Sequence, residues 1–273
     1  MNLSIAIPDS SLIDELSKVD KTRKVSVIAR ACAIFQIKQI FIYRDGYENK
    51  NDSILLATLL RYLETPQYFR RQLFPKMKLL KYAGVLYPLK TPNHLTTSDP
   101  KMLKINDIRD GLIINYKGKK FADIGINKLV EYFGKEKHGT RIILQIKTLN
   151  PKLSIKEISN EQLEKYWGYK VKERSDLFTL LSSWKGSTIL TSKYGKIFTS
   201  FDAKKYSKVN KPILVVFGTP ERGIYEILNE DIKKVQNANT FNFFPNQATE
   251  TVRLEEAILG TLSALNILST HYT

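Results

Sequence analysis

The sequence predicts an α/β protein whose parallel sheet is interrupted by a small β-barrel. Three observations predict it. A strand–helix–strand–helix rhythm fills the first 65 residues or so, and the same rhythm returns after about residue 165. Between them, short apolar runs alternate with glycine turns.

Residues 3–7 (LSIAI) read as a short buried strand ended by Pro8. A helix is predicted over 19–35, because Val25, Ile28, Ala29, Cys32 and Phe35 recur near the 3.6-residue period, with Arg23, Lys24 and Arg30 between them. KQIFIYRDG (38–46) gives a second strand, with Ile40 and Ile42 flanking Phe41 before a turn at Gly46. Asp52 or Ser53 is placed to cap the next helix, whose predicted face is Ile54, Leu55, Thr58, Leu59 and Tyr62. Pro66 stops or re-aims that helix.

From about residue 91 to 164 the pattern changes to DGLIINYKGKKFADIGI and then HGTRIILQIKT. Ile142, Leu144 and Ile146 alternate with Arg141, Gln145 and Lys147, the period of a half-exposed strand. Afterwards YWGYKVKE reads as a strand, SDLFTLLSSW as a helix and STILTSKYG as a strand. KPILVVFG (211–218) is the least ambiguous strand in the chain, and NTFNFFP reads as the last one. A final helix is predicted over 252–268, with Leu254, Ala257, Ile258, Thr261, Leu262 and Leu265 on one face.

The chain has 273 residues, 42% of them hydrophobic and 11% aromatic, enough for a substantial core. A formal charge of +16 favours a polyanionic partner, because each neutralised phosphate releases condensed counterions. Residues 90–170 hold 16 basic against 9 acidic residues, a large share of that excess. A single cysteine excludes a disulfide framework and an all-cysteine zinc site. Three scattered histidines (His94, His138, His271) leave no cluster with metal-ligand spacing, so no metal is expected. The opening MNLSIAIPDSSLIDELSK does not read as a signal peptide, and no stretch has the ~20 apolar residues of a membrane span. A cytoplasmic protein without membrane attachment is the expectation.

Two loops after predicted buried strands are candidates for chemistry. The first, FGTPERG (217–223), has the G-x-x-x-x-G spacing of a phosphate loop, but Ile224 and Tyr225 stand where lysine and a magnesium-binding hydroxyl belong. Nucleotide hydrolysis is disfavoured, and a plain strand-to-helix turn accounts for this loop taken alone. Ligands of open α/β sheets nevertheless bind at this position, outside the carboxyl ends of strands. The second, FFPNQATETVRLEEA (243–257), leads into the last helix, with Thr251 as a fair N-cap. No histidine lies nearby to support a Ser-His-Asp arrangement.

Cys32 sits on an apolar helix face, where a free cysteine behaves as a small hydrophobe. Tyr68, Phe69, Arg70, Arg71, Phe74, Pro75, Lys76 and Lys78 mix aromatic and basic residues, as nucleic-acid surfaces do and as core aromatics with solvated charges also do. Lys117, Lys119 and Lys120 fall at a predicted hairpin tip, where plain solvent-facing lysines are the simpler reading and where an oligonucleotide-binding barrel would also meet RNA.

Several blocks together resemble the branch of the SPOUT (trefoil-knot) RNA methyltransferase superfamily that carries an OB-fold insertion, found in archaea and eukaryotes. They are IARACAIFQI (28–37), RYLETPQYFRRQLFP (61–75), YAGVLYPLKTPNH (82–94), YWGY (166–169), LVVFG (214–218) and TVRLEEAIL (251–259). Their order is more specific than any one of them, and the resemblance spans nearly the whole chain.

The resemblance implies a methyltransferase domain split into 1–90 and 165–273, the second part holding the knot, with an OB-fold-like RNA-binding insertion over 91–164. It implies S-adenosyl-L-methionine bound in two knot loops, one with Phe217, Gly218, Thr219, Glu221 and Gly223, the other with Phe243, Phe244, Pro245, Gln247, Thr249 and Thr251. The second loop departs from the family's small residues at Phe243, Asn246 and Ala248. Arg253 is the implied catalytic residue, positioning a phosphate or the acceptor base, although a salt bridge to Glu255 or Glu256 is the simpler role. The implied reaction is SN2 transfer of the sulfonium methyl to a nucleotide of a structured RNA, rRNA or tRNA, by a homodimer. The alternative is a non-catalytic RNA-binding or ribosome-associated protein that keeps the fold; cofactor binding discriminates the two. On the last helix, Leu259 and Ile267 lie off the main apolar stripe and are the expected subunit contact.

Overall fold

The computed structural model describes residues 1–46, 50–95 and 97–270, with residues 269 and 270 described by their backbone alone. His271 lies outside them. The chain forms two compact units: Met1–Glu64, Leu79–Pro88 and Tyr169–Thr273 make one, and Thr65–Lys78 with Leu89–Gly168 make the other.

In the first unit, β1 (Leu3–Pro8) leads to α1 (Lys18–Ile34), β2 (Gln39–Arg44) and α2 (Lys50–Glu64). Every β1 residue is buried, and Pro8 closes the strand. Ser17 caps α1 by accepting from the Asp20 amide. Val25, Ile28, Ala29 and Cys32 are all fully buried on α1, as their spacing requires, and burial pushes the Cys32 thiol up, away from a reactive thiolate. Lys24 departs from the arginines it is grouped with: it is buried, with its ammonium 2.5 Å from Asp14 and 3.2 Å from Glu255.

The next helix begins earlier than its expected caps. Asp52 lies inside the first turn, buried and paired with Lys21 at 2.5 Å, where a negative charge complements the helix dipole. The packed stripe of α2 is Leu55, Leu56, Leu59, Leu60 and Leu63, and Ile54 is half exposed. The predicted face is therefore rotated by about one residue, because α1 and the strand at 170–176 cover the leucine side.

The second unit opens with α3 (Gln67–Leu73), preceded by Pro66 at its N-cap, so that proline re-aims the chain. Five antiparallel strands follow: β3 (Ile108–Tyr116), β4 (Lys119–Asp123), β5 (Val130–Glu131), β6 (Arg141–Thr148) and β7 (Ser154–Ile158), in the order β5-β4-β3-β6-β7. Ile142, Leu144 and Ile146 point into a core with Ile113, Ala122, Ile124 and Val130. The sheet curls until its two edges meet: the Lys152 ammonium bonds Glu131, and the Tyr132 hydroxyl donates to Glu157 at 2.7 Å. This is a near-barrel. Phe69 is fully buried and Tyr68 packs edge-on against it at 4.4 Å, so these two aromatics of the 68–78 cluster have a packing role, while Arg71 is exposed. At the hairpin tip Lys117 and Lys119 are exposed, whereas the Lys120 ammonium donates to the Gly134 and Lys135 carbonyls.

The remaining elements return to the first unit: β8 (Lys170–Asp176), α4 (Leu177–Ser183), β9 (Ser187–Ile197), α5 (Ser200–Ser207), β10 (Ile213–Val216), α6 (Ile224–Leu228), β11 (Ala238–Asn242) and α7 (Leu254–Thr270). Six parallel strands align as β11-β9-β10-β1-β2-β8. One sheet face packs Ala6, Phe41, Tyr43, Leu214 and Val216 against α4 and α6. By the period of two, Ile5, Ile7, Ile40, Ile42, Ile213 and Val215 point to the other face. There α7 packs on α1 and α5, and α1 on α2. A doubly covered parallel sheet needs continuous apolar strands, which is why the all-buried β10 was the clearest strand in the sequence.

The final helix starts at Leu254, so Thr251 is not its cap. Arg253 occupies that position, and its amide donates to Glu256 at 3.0 Å. Among the described residues no helix is long and apolar enough to cross a membrane, and no group of three or more His, Cys, Asp or Glu side chains could hold a metal ion.

Candidate functional site

The connections of the parallel sheet diverge between β10 and β1: one runs out toward β11, the other toward β2 and β8. Such a switch point opens a crevice at the carboxyl ends of the strands. On the β10 side of it lies a cleft of about 260 Å³. Its walls come from three places in the sequence.

The loop 217–223 forms one wall. It is held by its own bonds: the Thr219 amide donates to the Arg222 carbonyl at 2.9 Å, and the Arg222 amide donates to the Thr219 hydroxyl at 2.7 Å. Gly218 is required there, since a Cβ would stand 2.8 Å from the Arg222 carbonyl oxygen. Phe217, Gly218, Thr219, Glu221 and Gly223 all line the cleft.

The second wall is the segment after β11. Phe243, Phe244, Gln247 and Thr251 line the cleft; Pro245 and Thr249 do not. The Gln247 amide nitrogen donates to the Thr249 carbonyl at 2.9 Å and folds the segment on itself. Phe243 stacks on Phe198 at 4.6 Å, which gives the bulky residue at this position a packing role. Phe244 presses against α7, where a Cβ at Gly260 would meet its ring at 2.4 Å.

The third wall was not singled out by its sequence. Thr240 and Phe241, consecutive in β11, pair with Leu190 and Lys196 of β9, so residues 191–195 leave the ladder. Thr191, Ser192, Lys193 and Tyr194 from this excursion line the cleft, with Tyr194 74% exposed and the Lys193 ammonium 5.3 Å from its ring centroid. The Asn242 side-chain amide donates to the Lys193 carbonyl at 3.0 Å and ties the excursion to the second wall. The available signal was Gly195 within an overlong strand pattern.

Arg253 stands outside the lining. Its guanidinium meets Asp14 at 3.3 Å and Glu255 at 3.2 Å, and it bonds Glu15. Partial burial opposes its charge, yet these three carboxylates outweigh that and raise its pKa. With Lys24 they form one network between the segment after β1, α1 and the start of α7.

A second charged group sits at the ends of β1 and β2. Asp9 and Asp45 are adjacent: the Asp45 amide donates to Asp9 at 3.3 Å, and Ser10 donates to the Asp45 carboxylate. Burial, and then the hydrogen bond with Asp45, push the Asp9 carboxyl up to about 6. Arg222 crosses from the first wall, donating to the Asp45 carbonyl at 2.6 Å with its guanidinium 3.6 Å from the carboxylate.

The cleft offers aromatic and aliphatic walls (Phe217, Phe241, Leu254, Ala257), backbone groups of the loops, and charged side chains of both signs, Glu221 and Glu250 beside Lys193 and Arg222. That combination fits a ligand with a planar ring and charged groups of both signs.

Comparison with known proteins gives the same direction. Residues 2–265 match the model of a family described as "putative RNA methyltransferase". The 28S rRNA (uridine-N(3))-methyltransferase of Homo sapiens is 28% identical over 300 residues, covering 96% of this chain and 77% of that protein. The protein of the same description from Drosophila melanogaster is 28% identical, covering 96% of this chain and 61% of its own length. An uncharacterized protein of Halobacterium salinarum is 28% identical over 98% of this chain and 99% of its own length.

Proposed function

We propose, from the premise that the chain belongs to the family of RNA methyltransferases, that it transfers the methyl group of S-adenosyl-L-methionine to a base of a structured RNA. The observation that carries this reading is the convergence of two separate loops, 217–223 and 243–251, on one cleft at the carboxyl edge of a parallel sheet. The names of the relatives favour rRNA as the RNA and N3 of uridine as the acceptor.

S-adenosyl-L-methionine supplies an electrophilic methyl on a sulfur that leaves neutral, so the protein's chief task is alignment. The cleft suits it: the apolar walls would take the adenine, loop backbone groups the ribose, and Glu221 and Glu250 beside Lys193 and Arg222 the charged methionine end. Phe217, Gly218, Thr219, Glu221 and Gly223 form one side of the proposed cofactor site; Phe243, Phe244, Gln247 and Thr251 form the other, with Pro245 and Thr249 shaping the loop behind. Arg253 is proposed to act on the acceptor nucleotide from the margin, its direction fixed by Asp14, Glu15 and Glu255.

The SPOUT class and its knot are part of the proposal. They are supported by the family resemblance and by β11 joining the sheet outside β9 before the chain returns to α7. The methyltransferase domain would comprise 1–90 and 165–273, and the OB-like insertion 91–164. RNA contact by the insertion is supported by Tyr116 and Phe133, 53% and 90% exposed, together with the exposed Lys117 and Lys119. A homodimer is supported by Leu259 and Ile267 on α7, which are 43% and 54% exposed. A cytoplasmic site of action completes the reading.

Titration calorimetry tests it directly. S-adenosyl-L-methionine should bind with about micromolar affinity, an energy near 8 kcal/mol. Incubation of the labelled cofactor with rRNA should transfer label to a nucleotide identified by mass spectrometry. A folded protein that binds neither the cofactor nor its demethylated product refutes the proposal.

A further inference from the structure

β8 is an edge strand of the parallel sheet, and its two sides carry different charge. Lys172 pairs in register with Phe41 of β2. The Lys172 ammonium and the Arg174 guanidinium lie 5.7 Å and 5.4 Å from the centroid of the Phe41 ring, on the sheet face that packs against α4 and α6. Lys170 shares that side by the period of two. Val171 and Glu173 turn the other way, and Glu173 pairs with Arg61 at 2.7 Å. One side of the edge strand is thus a row of three cations.

No carboxylate of the protein neutralises the row. Asp176, next along the strand, caps α4 through the Thr179 amide at 2.8 Å and hydroxyl at 2.7 Å. Among the described residues Lys170, Lys172 and Arg174 form no ion pair; Arg174 has a long bond of 3.4 Å to the Glu173 carbonyl. Lys170 and Arg174 are exposed and Lys172 is half-buried. Charges on an edge strand deter its pairing with another chain. That role accounts for a charge, but not for three of one sign. Two cations drawn onto one ring repel each other, and alternating signs would guard the edge without that repulsion.

A polyanion laid along the strand relieves it. The row repeats every second residue, about 6.6 Å, comparable with the step between successive phosphates of an RNA strand. Phe41 takes the inner side of Lys172 and Arg174, and their outer N–H groups remain to donate to phosphate oxygens. We propose that the backbone of the substrate RNA runs along this side of β8, its phosphates meeting Lys170, Lys172 and Arg174. The row leads toward the carboxyl edge of the sheet, where the proposed cofactor cleft opens beside β10. Three strand spacings, about 14 Å, separate β8 from β10, a span of a few nucleotides. The inference rests on the reading of the protein as an RNA-modifying enzyme, and it adds where the parallel-sheet unit grips the RNA. Such contacts fix a strand without reading its sequence.

The test is fluorescence anisotropy with a labelled 30-nucleotide RNA hairpin, titrated from 50 to 300 mM KCl, beside calorimetry with S-adenosyl-L-methionine. Lys170→Gln/Lys172→Gln/Arg174→Gln should bind the hairpin about 30-fold more weakly at 100 mM KCl, with the salt slope reduced by about two. Its cofactor affinity and circular dichroism should equal those of the wild type. Lys170→Gln alone leaves both contacts with Phe41 in place and should lower the slope by about 0.7. Unchanged hairpin affinity and slope in these variants would overturn the proposal while leaving the methyltransferase reading intact. So would an equal loss in Lys205→Gln/Lys208→Gln/Lys211→Gln, which removes three exposed lysines in and just after α5. A triple variant that self-associates by light scattering, yet binds the hairpin as the wild type does, would show the row to be an edge guard alone. Wild-type protein that ignores the hairpin at every salt concentration would refute the RNA-binding reading and this surface with it.

Discussion

The Tyr43 hydroxyl donates a 2.7 Å hydrogen bond to the Phe217 carbonyl, 174 positions away in the sequence. Both residues are fully buried. The bond passes over β1, which lies between β2 and β10 in the sheet. Two residues further along β2's chain, Asp45 makes a second connection of the same kind through Arg222. The end of the second strand thus fixes the first wall of the proposed cofactor cleft at both its start and its tip.

Replacing Tyr43 with phenylalanine keeps the ring and removes the donor. The Phe217 carbonyl would be left buried with a lone pair unmet, a loss of about 1–3 kcal/mol. Chemical denaturation should show that loss, and calorimetry should show weaker cofactor binding, because the loop's starting point is no longer held. Full retention of both stability and affinity would mean that the loop is set by its internal Thr219–Arg222 bonds alone.

Lys24 and its carboxylates give a sharper test of buried electrostatics. Its side chain is 1% exposed and faces Asp14 and Glu255. Lys24→Met leaves those two acids next to each other with one cation, Arg253, to serve them. Removing one partner of a buried pair typically costs about 3–5 kcal/mol. Urea unfolding should reveal a loss of that size, and Glu255→Gln in the Lys24→Met background should restore part of it. A loss below about 1 kcal/mol would show that water reaches the network.

Asp9 predicts how stability changes with pH. Its pKa is raised from 3.8 in the unfolded chain to about 6 in the folded one. Between those values the folded protein holds a proton that the unfolded chain has released, so this group's contribution to stability is full below pH 4 and is lost as pH rises to about 6. In Asp9→Asn that loss is absent. The variant's melting temperature should therefore exceed the wild type's by a margin that grows from pH 4 to pH 6 and is constant above. A margin independent of pH would show that folding leaves the Asp9 pKa unshifted.

Leu259 tests the proposed dimer. It is 43% exposed, off the stripe of Leu254, Ile258, Leu262 and Leu265, each of which is buried. Leu259→Lys should give a monomer by light scattering, with the helical circular dichroism signal unchanged and turnover reduced. A variant that remains dimeric and active would remove this face of α7 from the interface.

The sequence by itself determined the elements. Periodicity located α1, α7 and the barrel strand β6, and unbroken apolar runs marked β1 and β10, because a helix face or a doubly covered strand must be written locally in side-chain spacing. The loops at 217–223 and 243–251 were legible as candidates because they follow such strands, and the family resemblance supplied what they would bind. Tertiary structure alone decided the pairing of distant residues. That Lys24 is buried depends on Asp14 and Glu255 arriving from two other segments, and nothing in its own helix distinguishes it from Arg23 or Arg30. Residues 191–195 became a wall of the cleft only because β11 pairs around them. Spacing along a chain records which face a residue turns; it carries no record of which charge will be waiting there, since that is set by strand order.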